Sequence, residues 1–476
     1  MILSNLIGRG LSLFYRILLV RFLGPDGMGL YQSVSALGYS VSGPVGAGLV
    51  TAVSQVVAKE KRLPAEVTTA RLLRWGFGLA ALFSILALGT IRPLAQLVAA
   101  PLAASLLPLR VFWPLLVLPI FSAVWRGYFL GKSELWPLLL AQVNYQLVRL
   151  CWLLLPALVV IPGLLGHSVL LPAASSLSAR TEAKISWVLA GLFLAEVASW
   201  GTLAGALFRQ RGGQSYGARS SRSTIRSSSA FIAIRKRARP AVMTGASARQ
   251  GAGRESPPAG VSPSVLLRDL VFLSMSVILA RLLAAGTRLA ELSLFSQRLL
   301  ANGWALDQVL HIYGLVYGLA LPLVGFPGVI TGSLALALVP RVSAVQGQKN
   351  LIRGRIRKSL VASAGLGLMV AAVFQLGGRV LASFFFATPE AGEVITALSL
   401  YPLFLYLEQT GGAVLRGLGR GGIPLLANLA EAALRLGLLY RGLAGPADAV
   451  PVVTGAILAG GAASSTIILL AVLSLI

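Results

Sequence analysis

The sequence predicts an all-α integral membrane protein of about twelve transmembrane helices arranged in two six-helix lobes. Three observations predict it: long apolar runs, an alternation of basic and base-poor loops, and a basic segment that divides the chain near its middle. The chain has 476 residues, of which 56% are hydrophobic and 12% charged, with a mean hydropathy of +0.81. Soluble domains carry about 25% charged residues. In hydrocarbon every backbone polar group must find its partner within the protein, so spans are helices or a closed barrel. The apolar runs continue for about 20 residues, one helical crossing. They lack the alternating pattern of barrel strands, about ten residues each.

In order, the spans of the first half fall at 3–23, 29–53, 72–99, 109–131, 137–161 and 186–208. Those of the second fall at 265–290, 310–338, 359–381, 394–415, 423–443 and 450–475. Between them, 209–264 is rich in Ser, Gly, Pro and Arg, with Glu255 its one acid. Such a segment buries too little apolar surface to offset the entropy of ordering it, so it reads as a flexible linker between a lobe at 1–208 and a lobe at 265–476.

The loop charges fix an orientation. Lys59, Lys61, Arg62, Arg71 and Arg74 flank the loop after the second span; Arg126 and Lys132 follow the fourth. The linker follows the sixth, Arg341, Lys349, Arg353, Arg355, Arg357 and Lys358 the eighth, and Arg416 and Arg420 the tenth. The alternate loops carry Asp26, Glu390 with Glu393, and Asp448. By the positive-inside rule both termini are expected in the cytoplasm. The net charge of +26 is carried largely by these loops. It predicts anionic lipid headgroups as partners of the linker, and no nucleic acid. Trp113, Trp125, Trp136, Trp187 and Trp304 near span ends read as interfacial anchors.

The two halves resemble one another. Arg126-Gly127-Tyr128-Phe129-Leu130-Gly131-Lys132, with Pro137, Asn144 and Arg149 beyond it, parallels Arg416-Gly417-Leu418-Gly419-Arg420 with Pro424, Asn428 and Arg435. The offsets stay between 284 and 290, and Ser54 and Ser343 lie 289 apart. Six spans per half in the same sense imply a parallel repeat about an axis along the membrane normal.

Charges inside spans carry the chemistry. A charge at bilayer centre costs about 2.5–3.5 kcal/mol on insertion scales and usually faces protein or a watery cavity. Arg288 with Glu291, and Glu431 with Arg435, stand three and four apart and can share a helix face. Arg21 and Arg298 lie near span ends, where long cationic side chains reach the interface. Arg16 and Arg281 have no acid at three or four residues and sit in the opening helix of each half. Across a central cleft, Arg16, Arg281 and Arg288, backed by Arg149, suit a phosphate or pyrophosphate group, which guanidinium forks bind bidentately. Glu196, Glu291 and Glu408 are the intramembrane candidates for proton or sodium coupling. Pro114, Pro119, Pro322, Pro327 and Gly43-Pro44 are positions where spans can bend. His167 and His311 have no metal-ligand spacing, Cys151 is the one cysteine, and no phosphate-binding loop or Cys/His cluster occurs. No metal, cofactor, disulfide or enzymatic centre is expected.

The run from Asn5-Leu6-Ile7-Gly8-Arg9 through Leu23-Gly24-Pro25-Asp26-Gly27-Met28-Gly29-Leu30-Tyr31-Gln32 is distinctive. So are Arg126 to Gly131 with Pro137, Gln142, Gln146 and Arg149; Leu338-Val339-Pro340-Arg341-Val342-Ser343; and Leu415 to Arg420 with Pro424. In order and spacing they resemble MOP-superfamily polysaccharide exporters of the stage V sporulation protein B type. That group is related to MurJ-type lipid II flippases and to the MATE drug exporters. The resemblance implies a monomeric flippase in a bacterial cell membrane. It would move an undecaprenyl-pyrophosphate-linked saccharide from inner to outer leaflet by rocking its two lobes. It also implies fourteen helices, two more than the sequence offers. A cation-coupled drug antiporter of the MATE type is the alternative, and would need cavity carboxylates rather than arginines.

Overall fold

The computed structural model describes residues 2–59, 65–99, 106–163, 177–220, 263–343, 349–445 and 448–475, and every regular element there is a helix. The first, α1 (Ile2–Lys59), runs 58 residues. Straight, it would reach about 87 Å, far beyond the ~30 Å hydrocarbon layer. It folds back instead. Gly24 has φ 73° and ψ 176°, a backbone state open to a residue without Cβ, and Pro25 then starts the second leg with its φ preset. Arg16 and Gln32, one on each leg, both reach the Tyr317 carbonyl, at 3.4 and 3.3 Å. Sixteen residues of unbroken helix would hold them about 24 Å apart. The expected first and second spans are thus the two legs of one hairpin.

The first half continues with α2 (Ala65–Ala99), α3 (Leu106–Gly131), α4 (Leu135–Gly163) and α5 (Leu177–Ser220). The second opens with α6 (Pro263–Ala301). Its next span is broken into α7 (Leu306–Tyr313), a π-helical stretch Gly314–Ala320, α8 (Leu321–Gly325) and α9 (Gly328–Ser343). Then follow α10 (Lys349–Phe386), α11 (Ala391–Ala397), α12 (Tyr401–Gly417), α13 (Gly422–Gly442) and α14 (Ala449–Leu475). Among the described residues, nine helical stretches are long and apolar enough to cross a membrane, the α1 hairpin counting as one. Twelve remains the sequence's expectation rather than a structural count. Helix α5 runs on to Ser220, so the start of the expected linker is helical. The rest of the linker, 221–262, and His167 lie outside the described residues.

The internal repeat is visible in packing. A Cβ on Gly127 would lie 2.9 Å from the Val50 carbonyl oxygen and 2.8 Å from the Val53 Cβ. A Cβ on Gly417 would lie 3.0 Å from the Val339 carbonyl oxygen and 2.9 Å from the Val342 Cβ. Each glycine lets the fourth helix of its half press onto the second at positions 289 or 290 residues apart. The largest buried apolar cluster joins the halves, with Leu19 and Met28 of α1 packed among residues such as Phe295, Val316 and Tyr406. Trp125 belongs to the interior rather than the interface. It is 8% exposed and packs edge-on against Phe77 at 5.3 Å. Trp187 likewise stacks on Trp152 at 4.3 Å, whereas Trp136 remains exposed as expected.

Gly127→Leu and Gly417→Leu should each destabilise the folded protein by about 1–3 kcal/mol, the usual cost of overpacking. Thermal unfolding followed by size-exclusion chromatography in detergent measures it. Wild-type midpoints for both would refute the shared close approach.

Candidate functional site

The interior charges fall into three groups. The first centres on Arg16. Pro322 has no N–H, so the helical donor that Gly318 would receive from four residues on, and Tyr317 from five residues on in the π register, is missing. Arg16 supplies it: Nε donates to the Gly318 carbonyl at 2.9 Å and Nη2 to that of Tyr317 at 3.4 Å. Gln32 Nε2 also donates to Tyr317 O at 3.3 Å. In this conformation Arg16 is therefore not a free cation. It ties the first leg of α1 to the broken eighth span. Beside it, Arg149 lies over the Tyr15 ring at 4.1 Å and the Tyr145 ring at 5.3 Å. Its Nη2 donates to Ser12 Oγ at 3.0 Å, and its Nε is buried with no partner.

The second group is a stripe on α6. Arg281 and Arg288 are two turns apart and share one face. Both are exposed, and no carboxylate lies within ion-pair distance of either among the described residues. Arg288 lies within electrostatic reach of Tyr313 and Tyr401. The pairing of Arg288 with Glu291 three residues on does not form.

The third group explains why. Buried Glu291 turns toward Arg435, whose Nη2 stands 3.2 Å from Oε2, and accepts from the Tyr317 hydroxyl at 2.6 Å. Arg435 also meets Glu431 at 3.6 Å across one helical turn, as the spacing predicts. With the Asn428 amide turned to the orientation that satisfies both its groups, its nitrogen donates to Glu408 at 3.0 Å, a neutral partner. In the first half, buried Glu196 accepts from Ser122 at 2.6 Å and pairs with Arg126 at 3.3 Å. Arg126, which the sequence suggests to be a loop charge, is thus a partly exposed counter-ion to a buried acid. No cluster of His, Cys, Asp or Glu suited to a metal occurs among the described residues.

Toward the base-poor loops the halves meet main chain to main chain. Gly29 lies against the Leu310 carbonyl and Gly314 against that of Pro25, both too close for any Cβ. His311 bridges this seam. Nδ1 is 2.6 Å from Asp26 of the α1 hairpin and Nε2 is 2.9 Å from Glu390. Only an imidazolium donates to both carboxylates at once. Arg21 is exposed near the end of the first leg; its Nε donates to the Phe385 carbonyl at 2.9 Å and caps the end of α10. The role of His311 had no signal in sequence, since Asp26 is 285 residues away.

This architecture defines the class: a multi-pass membrane protein with the fold of MOP-superfamily transporters. A solved inward-facing MATE family multidrug transporter of that superfamily superimposes with a TM-score of 0.66 at 13% identity, over 98% of this chain and 93% of that one. A MOP-superfamily transporter from Pyrococcus furiosus Vc1, described as having a binding pocket of reverse polarity that suggests a different function, gives 0.58 at 14% identity, over 99% and 93%. More particularly, the chain is similar to Stage V sporulation protein B of Bacillus subtilis (strain 168). The two are 25% identical over 452 residues, 92% of this chain and 76% of that protein. Residues 1–200 match the family model for polysaccharide biosynthesis proteins.

If Arg16 acts chiefly as a cap, Arg16→Ala should cost about 1–3 kcal/mol, the penalty for stranding buried acceptors. Pro322→Ala restores a helical donor, so the same substitution should cost measurably less in that background. A double-mutant cycle on thermal unfolding checks this; strict additivity would refute the capping role.

Proposed function

We propose that this protein moves a lipid-linked saccharide with a phosphate or pyrophosphate headgroup from the inner to the outer leaflet of a bacterial cell membrane. It acts as a transporter, not an enzyme, by alternating access. The observation that carries the reading is the pair Arg281 and Arg288, aligned on one face of α6 without carboxylate partners among the described residues. Guanidinium groups in that setting suit a diphosphate, which accepts two parallel N–H bonds from each. Arg149, held over two tyrosine rings with its Nε unsatisfied, is the second contact. Arg16 contributes by holding the α1 hairpin and the eighth span in register, and its donors become available when those elements part.

The similarity to Stage V sporulation protein B and the polysaccharide-biosynthesis match of residues 1–200 support a saccharide cargo. The undecaprenyl type of carrier, a lipid II-like precursor and cytoplasmic termini follow from the resemblance and the loop charges. The long basic segment 209–264 would rest on anionic headgroups. In the cycle, the Gly29–Leu310 and Gly314–Pro25 seam is the outer gate, closed here, and His311 with Asp26 and Glu390 latches it. Glu408, with a neutral amide as its close partner, is the leading position for ion coupling; Glu196 and Glu291 are engaged in ion pairs.

A second reading, a cation-coupled antiporter of the MATE type, is favoured by the gathering of Glu291, Glu408 and Glu431 in the second half. Arg435 answers two of those three acids, which weakens it. Raised resistance to cationic dyes on expression would support it.

In vesicles loaded with fluorescent polyprenyl-diphosphate saccharide, Arg281→Ala with Arg288→Ala should slow outward movement at least about tenfold, from loss of charge-assisted bonds of ~1.5–3 kcal/mol. Both side chains are exposed, so the melting temperature should hold. Wild-type flipping by the double variant would overturn the proposal.

A further inference from the structure

We propose that a crevice between α9 and α10 binds one acyl chain of an anionic phospholipid, with its headgroup on Lys358. The crevice encloses about 380 Å³, within the ~300–1,000 Å³ range of ligand pockets. Its origin lies in the glycine positions. Gly328 and Gly332 bring α9 close to Tyr406 and Gln409 of α12, and Gly367 brings α10 close to Leu403. Both helices therefore pack extensively on α12, and hardly on each other. The repeat gives an internal control. In the first half, Gly76 of α2 packs against Val53 of α1 and Val124 of α3, so the corresponding helices touch there.

The chemistry of the walls selects the occupant. Four hydroxyls reach the crevice, and each is already bonded: Thr331 to Gln409 at 2.8 Å, Ser363 and Thr410 to one another at 2.7 Å, and Ser359 to the Arg355 carbonyl at 3.0 Å. No hydroxyl there is left without a protein partner. The rest of the lining is Leu and Ala on both helices, apart from Lys358. Leu338 of α9 and Lys358 of α10 form the mouth, and Thr331 and Leu366 lie about 10 Å further in. Lys358 is exposed with no carboxylate within ion-pair distance among the described residues, and Arg353, Arg355 and Arg357 precede it without an intervening acid. An apolar shaft with a cationic rim at the basic end of a span fits a single-tailed grip on a negatively charged lipid. The crevice shares no residue with the three charge groups of the proposed cargo path, so this inference stands apart from the identity of the cargo.

The test is photo-cross-linking of full-length protein in phosphatidylcholine vesicles containing diazirine-tailed phosphatidylglycerol. Label is expected on peptides of α9 and α10. Lys358→Gln should lower it about fivefold, the worth of ~1 kcal/mol per surface cation. Ala362→Phe, which fills the shaft, should abolish it, with Ala335→Leu as the milder filling variant should the first fail to fold. Equal labelling by diazirine-tailed phosphatidylcholine, absence of label from both helices, or indifference to the filling variants would each overturn the site. Preferential labelling by a diazirine polyprenyl phosphate would overturn the phospholipid assignment and give the crevice to the cargo's tail.

Discussion

The bond between Arg16 and the Gly318 carbonyl is the constraint on which the arrangement of the two halves depends. A proline within a span leaves carbonyls with no donor, and in hydrocarbon water cannot supply one. The fold resolves this by importing a donor from the other half of the chain. A buried guanidinium and a broken helix are each costly alone. Placed together they satisfy one another, and the π-helical stretch Gly314–Ala320 is the local distortion that presents both carbonyls to the same side chain. This bond ties the α1 hairpin to the eighth span, and the close glycine contacts at Gly29 and Gly314 join the same two elements.

Much of this architecture was legible in the sequence. Apolar length, loop charge and the near-constant offset between the halves are local or periodic signals, and the helices and the Gly127–Gly417 correspondence follow them. Pro322 and Arg16 were each legible as exceptions, one as a bend and one as an unpartnered charge. Their relation was not, because a backbone carbonyl has no letter in the sequence and the two lie 306 residues apart. The same blindness affected Glu291. Spacing offered it Arg288, but the bundle offered Arg435 from α13, nearer and already aligned by Glu431. Trp125 misled for a related reason: position near a span end does not say whether the ring faces lipid or a neighbouring helix.

The charges divide the labour between the halves. In the first, the buried acid Glu196 is answered by Arg126, and Arg149 lies among tyrosine rings, whose faces attract cations without neutralising them. In the second, acids outnumber their close cations around α12 and α13, while Arg281 and Arg288 stand apart on α6. A diphosphate entering between the halves would meet arginines on both sides and carboxylates behind one of them. Under the proposed function, that asymmetry would attract an anion and let a change in carboxylate protonation alter its hold.

The seam near the base-poor loops sets backbone on backbone beside the His311 bridge, so separating it uncovers peptide groups as well as side chains. The Pro25 and Leu310 carbonyls, shut away against glycines, would have to be wetted as the seam parts. In the proposed cycle, opening at this end would therefore be a hydration event, with its equilibrium tied to the activity of water. Osmolytes excluded from peptide surface would hold the seam shut, and dilute media would favour its parting.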